Sequence, residues 1–124
     1  MTSRRQERTS RVLKEAISRV IIQEVSDPRM GFVTVTRVEP SPDLKFARVY
    51  VSVLGDDAVC RRTLRGLEHA AGFIQRTVGG LVALKNVPAL RFVRDDSVKR
   101  SVRISRMLAD ARREEPSKEE DELQ

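Results

Sequence analysis

The sequence predicts a small α+β domain, on three observations. Apolar residues near the start recur at helical spacing. Two later runs are rich in β-branched residues and alternate in polarity, as half-buried strands do. A glycine-interrupted helical stretch then separates these from a third apolar run. The 124 residues, 14.1 kDa, make one domain and not comfortably two. A hydrophobic content of 40% can bury a core, although four Phe, one Tyr and no Trp make it aliphatic.

The first helix is expected over about Ser3 to Val25. Ser3-Arg4-Arg5-Gln6 has the form of a capping box, in which a hydroxyl and an amide reciprocally satisfy orphan backbone donors. Leu13, Ala16, Ile17, Val20 and Ile21 share one stripe at 100° per residue. Arg4, Arg8, Arg11 and Arg19 take the opposite side, with Ile22 as an apolar intruder among them. Ser26-Asp27-Pro28 should stop the helix, because Pro28 disfavours helical geometry at Asp27 and lacks a donor. Phe32 to Val38 and Phe46 to Leu54 read as strands; Pro40-Ser41-Pro42-Asp43 supplies the turn of an antiparallel pair. In the second strand, Ala47, Val49, Val51 and Val53 point one way and Phe46, Arg48, Tyr50 and Ser52 the other.

Gly55-Asp56-Asp57 opens the next helix, with carboxylates at its positive end. Cys60, Leu64, Leu67 and Ala71 form its buried stripe, and Arg62, Arg65 and His69 its outer one. Gly72 interrupts this pattern, and a new stripe of Ile74, Val78 and Leu81 begins at once. The expectation is two helices meeting at a kink, with both packed on one face of a three-stranded sheet. The third strand is expected over Ala89 to Arg94 and a short helical turn over Val98 to Leu108. Residues 1–110 would form the domain. Residues 111–124 lack apolar anchors and should be a disordered acidic tail.

Charge points toward a partner. Lys and Arg number 24 against 18 Asp and Glu, a formal +6. The imbalance is larger in residues 1–110, at +9, and reverses to −3 in the tail. A small body this basic favours a polyanion. The four arginines on one face of the first helix are joined in the other half by Arg62, Arg65, Arg76, Lys85, Arg91 and Arg94. Arginine's planar donor fork suits phosphate oxygens, and Arg4, Arg8, Arg11, Arg62, Arg65, Arg76 and, by charge alone, Lys85 are the expected contacts. Phe46, Arg48 and Tyr50 can be read as a base-stacking strand face, but a partly buried sheet face is the preferred reading.

Enzymatic chemistry finds little support. No phosphate-binding loop, nucleophile elbow, Cys-x-x-Cys pair or dinucleotide fingerprint is present. His69 sits beside two arginines on an outer helix face and lacks a nucleophile partner in sequence. Cys60 lies on a buried stripe, Asp56-Asp57 suit a helix start, and Asp95-Asp96 suit a strand-ending turn. One Cys excludes an intramolecular disulfide, and a single Cys with a single His makes a zinc site improbable, so no metal or cofactor is expected. No apolar run approaches the roughly 18–20 residues that span a bilayer, and the Arg-rich start lacks a signal sequence's apolar stretch. A cytoplasmic protein, monomeric when free and independent of membranes, is the expectation.

The order helix, strand, strand, kinked helix pair, strand is that of a type II KH domain, an RNA-binding scaffold. Such domains clamp nucleic-acid backbone with a Gly-x-x-Gly loop; here Ala70-Ala71-Gly72 stands at the junction. This Ala-x-Gly kink resembles the hallmark of ribosome-binding factor A, a family of bacterial small-subunit assembly factors. Ser26-Asp27-Pro28-Arg29, Val33-Thr34-Val35-Thr36 and Ser41-Pro42-Asp43-Leu44 fit the same pattern, as do Ala47 to Ser52, Pro88 to Phe92 and Asp96-Ser97. The resemblance covers residues 3–108. Lys85 stands where the family usually has Arg, and Ser101 where Gly is frequent. The resemblance implies a type II KH-like fold and binding to the immature small (30S) subunit. It further implies contact with 16S ribosomal RNA, support of its processing and maturation, and a link to cold adaptation. Ala70, Ala71 and Gly72 would then shape a backbone-facing junction. Two other readings are a protein–protein adaptor using a sheet edge or Ile22, and a generic KH-type RNA binder, the latter disfavoured by the missing Gly-x-x-Gly.

Overall fold

The computed structural model describes residues 3–25, 27 and 29–114. Six elements follow one another: α1 (Arg4–Glu24), β1 (Phe32–Pro40), β2 (Phe46–Leu54), α2 (Asp57–Gly79), β3 (Ala89–Arg94) and α3 (Ser97–Glu114). The α+β class, the element order and the bounds of β2 and β3 agree with the sequence reading. The strands form one sheet in the order β1-β2-β3, with β1 antiparallel and β3 parallel to β2. Because β2 and β3 run parallel, they need a crossover connection, and α2 supplies it. α1 packs on β1, and α2 on β3 and β2, both on the face that carries Ala47, Val49 and Val51.

The first helix begins as its capping box requires. Ser3 Oγ accepts from the Gln6 N–H at 3.1 Å, and Gln6 Oε1 accepts from the Ser3 N–H at 3.0 Å. The expected stripe of Leu13, Ala16, Ile17, Val20 and Ile21 is buried. The helix ends at Glu24, where the Val25 N–H still donates to the Ile21 carbonyl. Ser26 and Pro28 of the expected stop signal lie outside the described residues. In β1 the register slips between Val35 and Arg37, leaving Thr36 without a partner across the pair. This bulge shifts the pleat by one residue, so that Val35 and Val38 both face the core.

Three expectations need correction. The pair of helices meeting at Gly72 is a single continuous element, α2. Cys60, Leu67 and Ile74 follow at seven-residue steps, a drift of about 20° per step, so one helix presents them all to the sheet. Gly72 keeps ordinary backbone geometry; among the described residues, positive φ occurs at Gly55 (146°) and Leu44 (62°). Leu81, assigned to the second stripe, is exposed because the helix has ended at Gly79 and Leu81 sits in the turn that follows. The short turn expected over 98–108 is an 18-residue helix that reaches past the expected start of the tail at 111. Met, Leu, Ala and Arg propagate helix readily, and Ile104, Met107, Leu108 and Ala111 keep helical spacing throughout. Residues 115–124 lie outside the described residues.

Candidate nucleic-acid interface

A groove of about 800 Å³ opens where the N-terminal turns of α1 meet the β1–β2 turn and the segment between α2 and β3. Each wall is tied to the next. Gln6 already serves the capping box, and its Nε2 also donates to the Pro40 carbonyl at 3.1 Å. Ser10 Oγ donates to the Val38 carbonyl at 2.5 Å, which fixes α1 along β1. Gln75 Nε2 holds the third wall through the Val87 carbonyl at 3.0 Å. The Ala89 N–H donates to the Lys45 carbonyl at 2.9 Å, joining the turn to the start of β3.

The turn has its own local logic. Leu44 adopts a left-handed conformation uncommon for a residue with a Cβ. Asp43 offsets that strain locally: Oδ1 accepts from the Ser41 hydroxyl at 2.6 Å and from the Lys45 N–H at 3.0 Å. The same two donors, the Ser41 hydroxyl first, hold the Asp43 carboxyl below its ordinary pKa. Lys45 thereby lines the groove.

Arg4, Arg5, Arg8, Lys45 and Lys85 line this groove, against Asp43 as the one acidic residue of its lining. None of the five cations makes an ion pair among the described residues, whereas Arg29, Arg37 and Arg94 do. Five unneutralised cations around one concavity create a positive field that solvent and salt only partly screen. Fold geometry therefore brings Lys85 to Arg4 and Arg8, which lie one turn apart at the start of α1 and far from Lys85 in the chain. It adds Arg5 and Lys45, which the helical face and the turn motif did not single out. The nearest sequence signal for Lys45 is its place directly after Ser41-Pro42-Asp43-Leu44.

The remaining expected residues lie elsewhere. Arg11 lines a second cleft of about 610 Å³ between α1 and β1, beside Lys14 and Arg37 but also Glu7 and Glu39. Arg62, Arg65 and Arg76 are exposed on the outer face of α2 with His69. Ala70 and Ala71 are half-buried against the core, while Gly72 is exposed. Arg76 reaches back along the helix, so that its Nη1 lies 3.5 Å from where a Cβ on Gly72 would stand. Ile22 is exposed and shares a small cleft with Phe32.

The family model for ribosome-binding factor A matches residues 5–108. This chain belongs to the ribosome-binding factor A family. A Halothermothrix orenii protein named ribosome-binding factor A is 41% identical over 121 residues, covering 98% of this chain and 99% of that protein. A member from an Anaeromyxobacter strain is 47% identical over 112 residues, covering 90% and 81%. Among solved structures, the ribosome-binding factor A crystal structure from Thermus thermophilus superposes with a TM-score of 0.63 at 27% identity, covering 72% of this chain and 94% of that one. A homology model of the Thermus thermophilus family member, fitted into an electron cryo-microscopy map of a 30S complex, gives 0.58 at 28% identity, covering 68% and 89%. The KH-like fold of the family is thus the fold of this chain. No helix among the described residues is long and apolar enough to cross a membrane. Nor do they contain three or more His, Cys, Asp or Glu placed to hold a metal ion.

Proposed function

We propose that this protein binds the small ribosomal subunit through the phosphates of 16S ribosomal RNA and supports maturation of the immature particle in the cytoplasm. The observation that carries the reading is the groove in which Arg4, Arg5, Arg8, Lys45 and Lys85 converge, with Asp43 the one acid in the lining and none of the five in an ion pair among the described residues. A fitted 30S complex of a family member supports the choice of polyanion. Phosphate contacts position a protein on nucleic acid, and arginine forks add geometry to charge. The outer face of α2, with Arg62, Arg65 and Arg76, extends the positive surface.

The action is binding, without bond making or breaking. A protein that prefers one RNA conformation shifts the population toward it by its difference in affinity for the two states. RNA rearrangement slows in the cold, so such a bias matters most there, which is the basis for a role in cold adaptation and 16S processing. The test compares purified small subunits with bare 16S RNA over a salt series, for the parent and for a variant carrying Arg4→Glu, Arg8→Glu and Lys85→Glu. The parent should prefer the subunit, with log affinity falling against log salt by about 0.7 to 0.9 per neutralised phosphate. The variant should bind more weakly and show a shallower slope. An unchanged slope would remove the groove from the interface.

A further inference from the structure

The sheet has a second face that no helix among the described residues packs on. On β2 it carries Phe46, Arg48, Tyr50 and Ser52, the set whose sequence pattern favoured a partly buried face. That reading holds for Tyr50 and Ser52, which are half-buried, whereas Phe46 is 64% exposed and Arg48 is exposed. Both packed helices use the opposite side.

Two features of this face point to a ligand. Arg48 and Arg91 are direct register partners on adjacent parallel strands, and neither makes an ion pair among the described residues. Like charges side by side on one sheet face, about 4.8 Å apart in backbone, are destabilising without an anion between them. Glu39, the partner of Arg48 on the other side, is already engaged: it pairs with Arg37 at 3.5 Å and accepts from the Tyr50 hydroxyl at 3.2 Å. The Arg37 guanidinium carbon in turn lies over the Tyr50 ring, 4.0 Å from its centroid. A guanidinium plane held on an aromatic ring is itself a platform for a base, and Phe46 offers another.

We propose that this face binds single-stranded RNA, with Arg48 and Arg91 gripping a phosphate and unpaired bases stacking on Phe46 and on the Arg37–Tyr50 pair. A duplex does not suit it, because stacking needs bases splayed out of a helix. The inference deepens the function proposed above and rests on it: the groove would hold structured RNA by its phosphates while the sheet face holds an unpaired strand of the same RNA.

Tyr50 is the protein's one tyrosine and there is no tryptophan, so intrinsic emission reports this face directly. Oligouridylate is titrated while Tyr50 emission is followed, and subunit affinity is measured by sedimentation for the parent, for Arg48→Gln with Arg91→Gln, and for Phe46→Ser. The parent should show a saturable change in Tyr50 emission. Each variant should lose about tenfold in oligonucleotide affinity, and should bind the subunit more weakly at unchanged melting temperature. No emission change in the parent, or equal affinities in parent and variants, would overturn the proposal. If truncating residues 115–124 alters Tyr50 emission before RNA is added, the acidic tail occupies the face and the proposal falls. Failure of the parent to bind the subunit overturns the proposed function as well, whereas normal subunit binding by the double variant overturns the sheet-face proposal only.

Discussion

Helices α1 and α3 are written in nearly the same language and end in opposite situations. Both are arginine-rich, and both carry an apolar stripe at helical spacing. In α1 the stripe is the core: Leu13 and Ile17 are 0% exposed. In α3 Ile104, Met107 and Leu108 are 56%, 64% and 60% exposed, and every side chain from Arg103 to Arg112 faces solvent. The difference lies in their anchors. α1 is fixed to β1 by Gln6 and Ser10 and lies along the sheet. α3 is held at its entry, where Asp95 accepts from the Ser97 N–H and from the Thr36 hydroxyl. An amphipathic pattern therefore specifies a helix and an apolar face, but not what that face meets.

Core truncation should separate the two helices most. Ile17→Ala should cost about 2–5 kcal/mol, because a fully buried side chain leaves a cavity. Leu108→Ala should stay within about 0.5 kcal/mol of the parent. Chemical denaturation of both variants checks this, and a comparable loss for Leu108→Ala would mean that α3 packs against the domain. Next in size is the cap of α1. Ser3→Ala removes one half of the capping box and should cost about 1 kcal/mol, read in the same experiment.

α2 offers an intermediate case, a packed helix with one weak position on its outer side. Gly72 is mid-helix, exposed and without positive φ, and an added Cβ would meet only Arg76 Nη1 at an ordinary 3.5 Å. Gly72→Ala should therefore stabilise by about 0.5–1 kcal/mol. A destabilised Gly72→Ala would restore a backbone kink to the account of this helix.

The entry to α3 should show the smallest effect, visible as a pH dependence. The Thr36 hydroxyl and then the Ser97 N–H lower the Asp95 pKa to about 2. A carboxyl depressed on folding contributes its stability above its unfolded value near 3.8 and loses it as pH falls through about 2. Thr36→Val should therefore differ most from the parent above about pH 4, with the gap narrowing as the pH falls toward 2. A gap constant with pH would mean that the hydroxyl acts only through the Tyr50 carbonyl, to which it also donates at 3.3 Å.

Much of the fold could be read from single segments because their determinants are local. The Ser3–Gln6 box, the Asp56 start of α2 and the alternation of Phe46 to Leu54 each involve neighbours a few residues apart. The candidate site was less legible. Arg4 and Arg8 stood out as a helix face and Lys85 as a departure from a family pattern. Nothing local linked the two arginines to Lys85 or to Lys45. Fidelity to helical spacing also misled at Gly72, where the glycine suggested an interruption that seven-residue steps do not require.

The sequence by itself determined where helices and strands form, which stripe of α1 and which face of β2 are apolar, that the body is basic, and to which family it belongs. Those properties follow from side-chain shape, capping groups and charge, which act over one or two turns of chain. Only the tertiary structure decided that β3 lies parallel beside β2, that Arg4, Arg5, Arg8, Lys45 and Lys85 share a groove, and that the Arg48 face of the sheet stays open. It also decided that the stripe of α3 meets solvent. Each of these depends on which surfaces come together, and one side of a contact cannot specify the other.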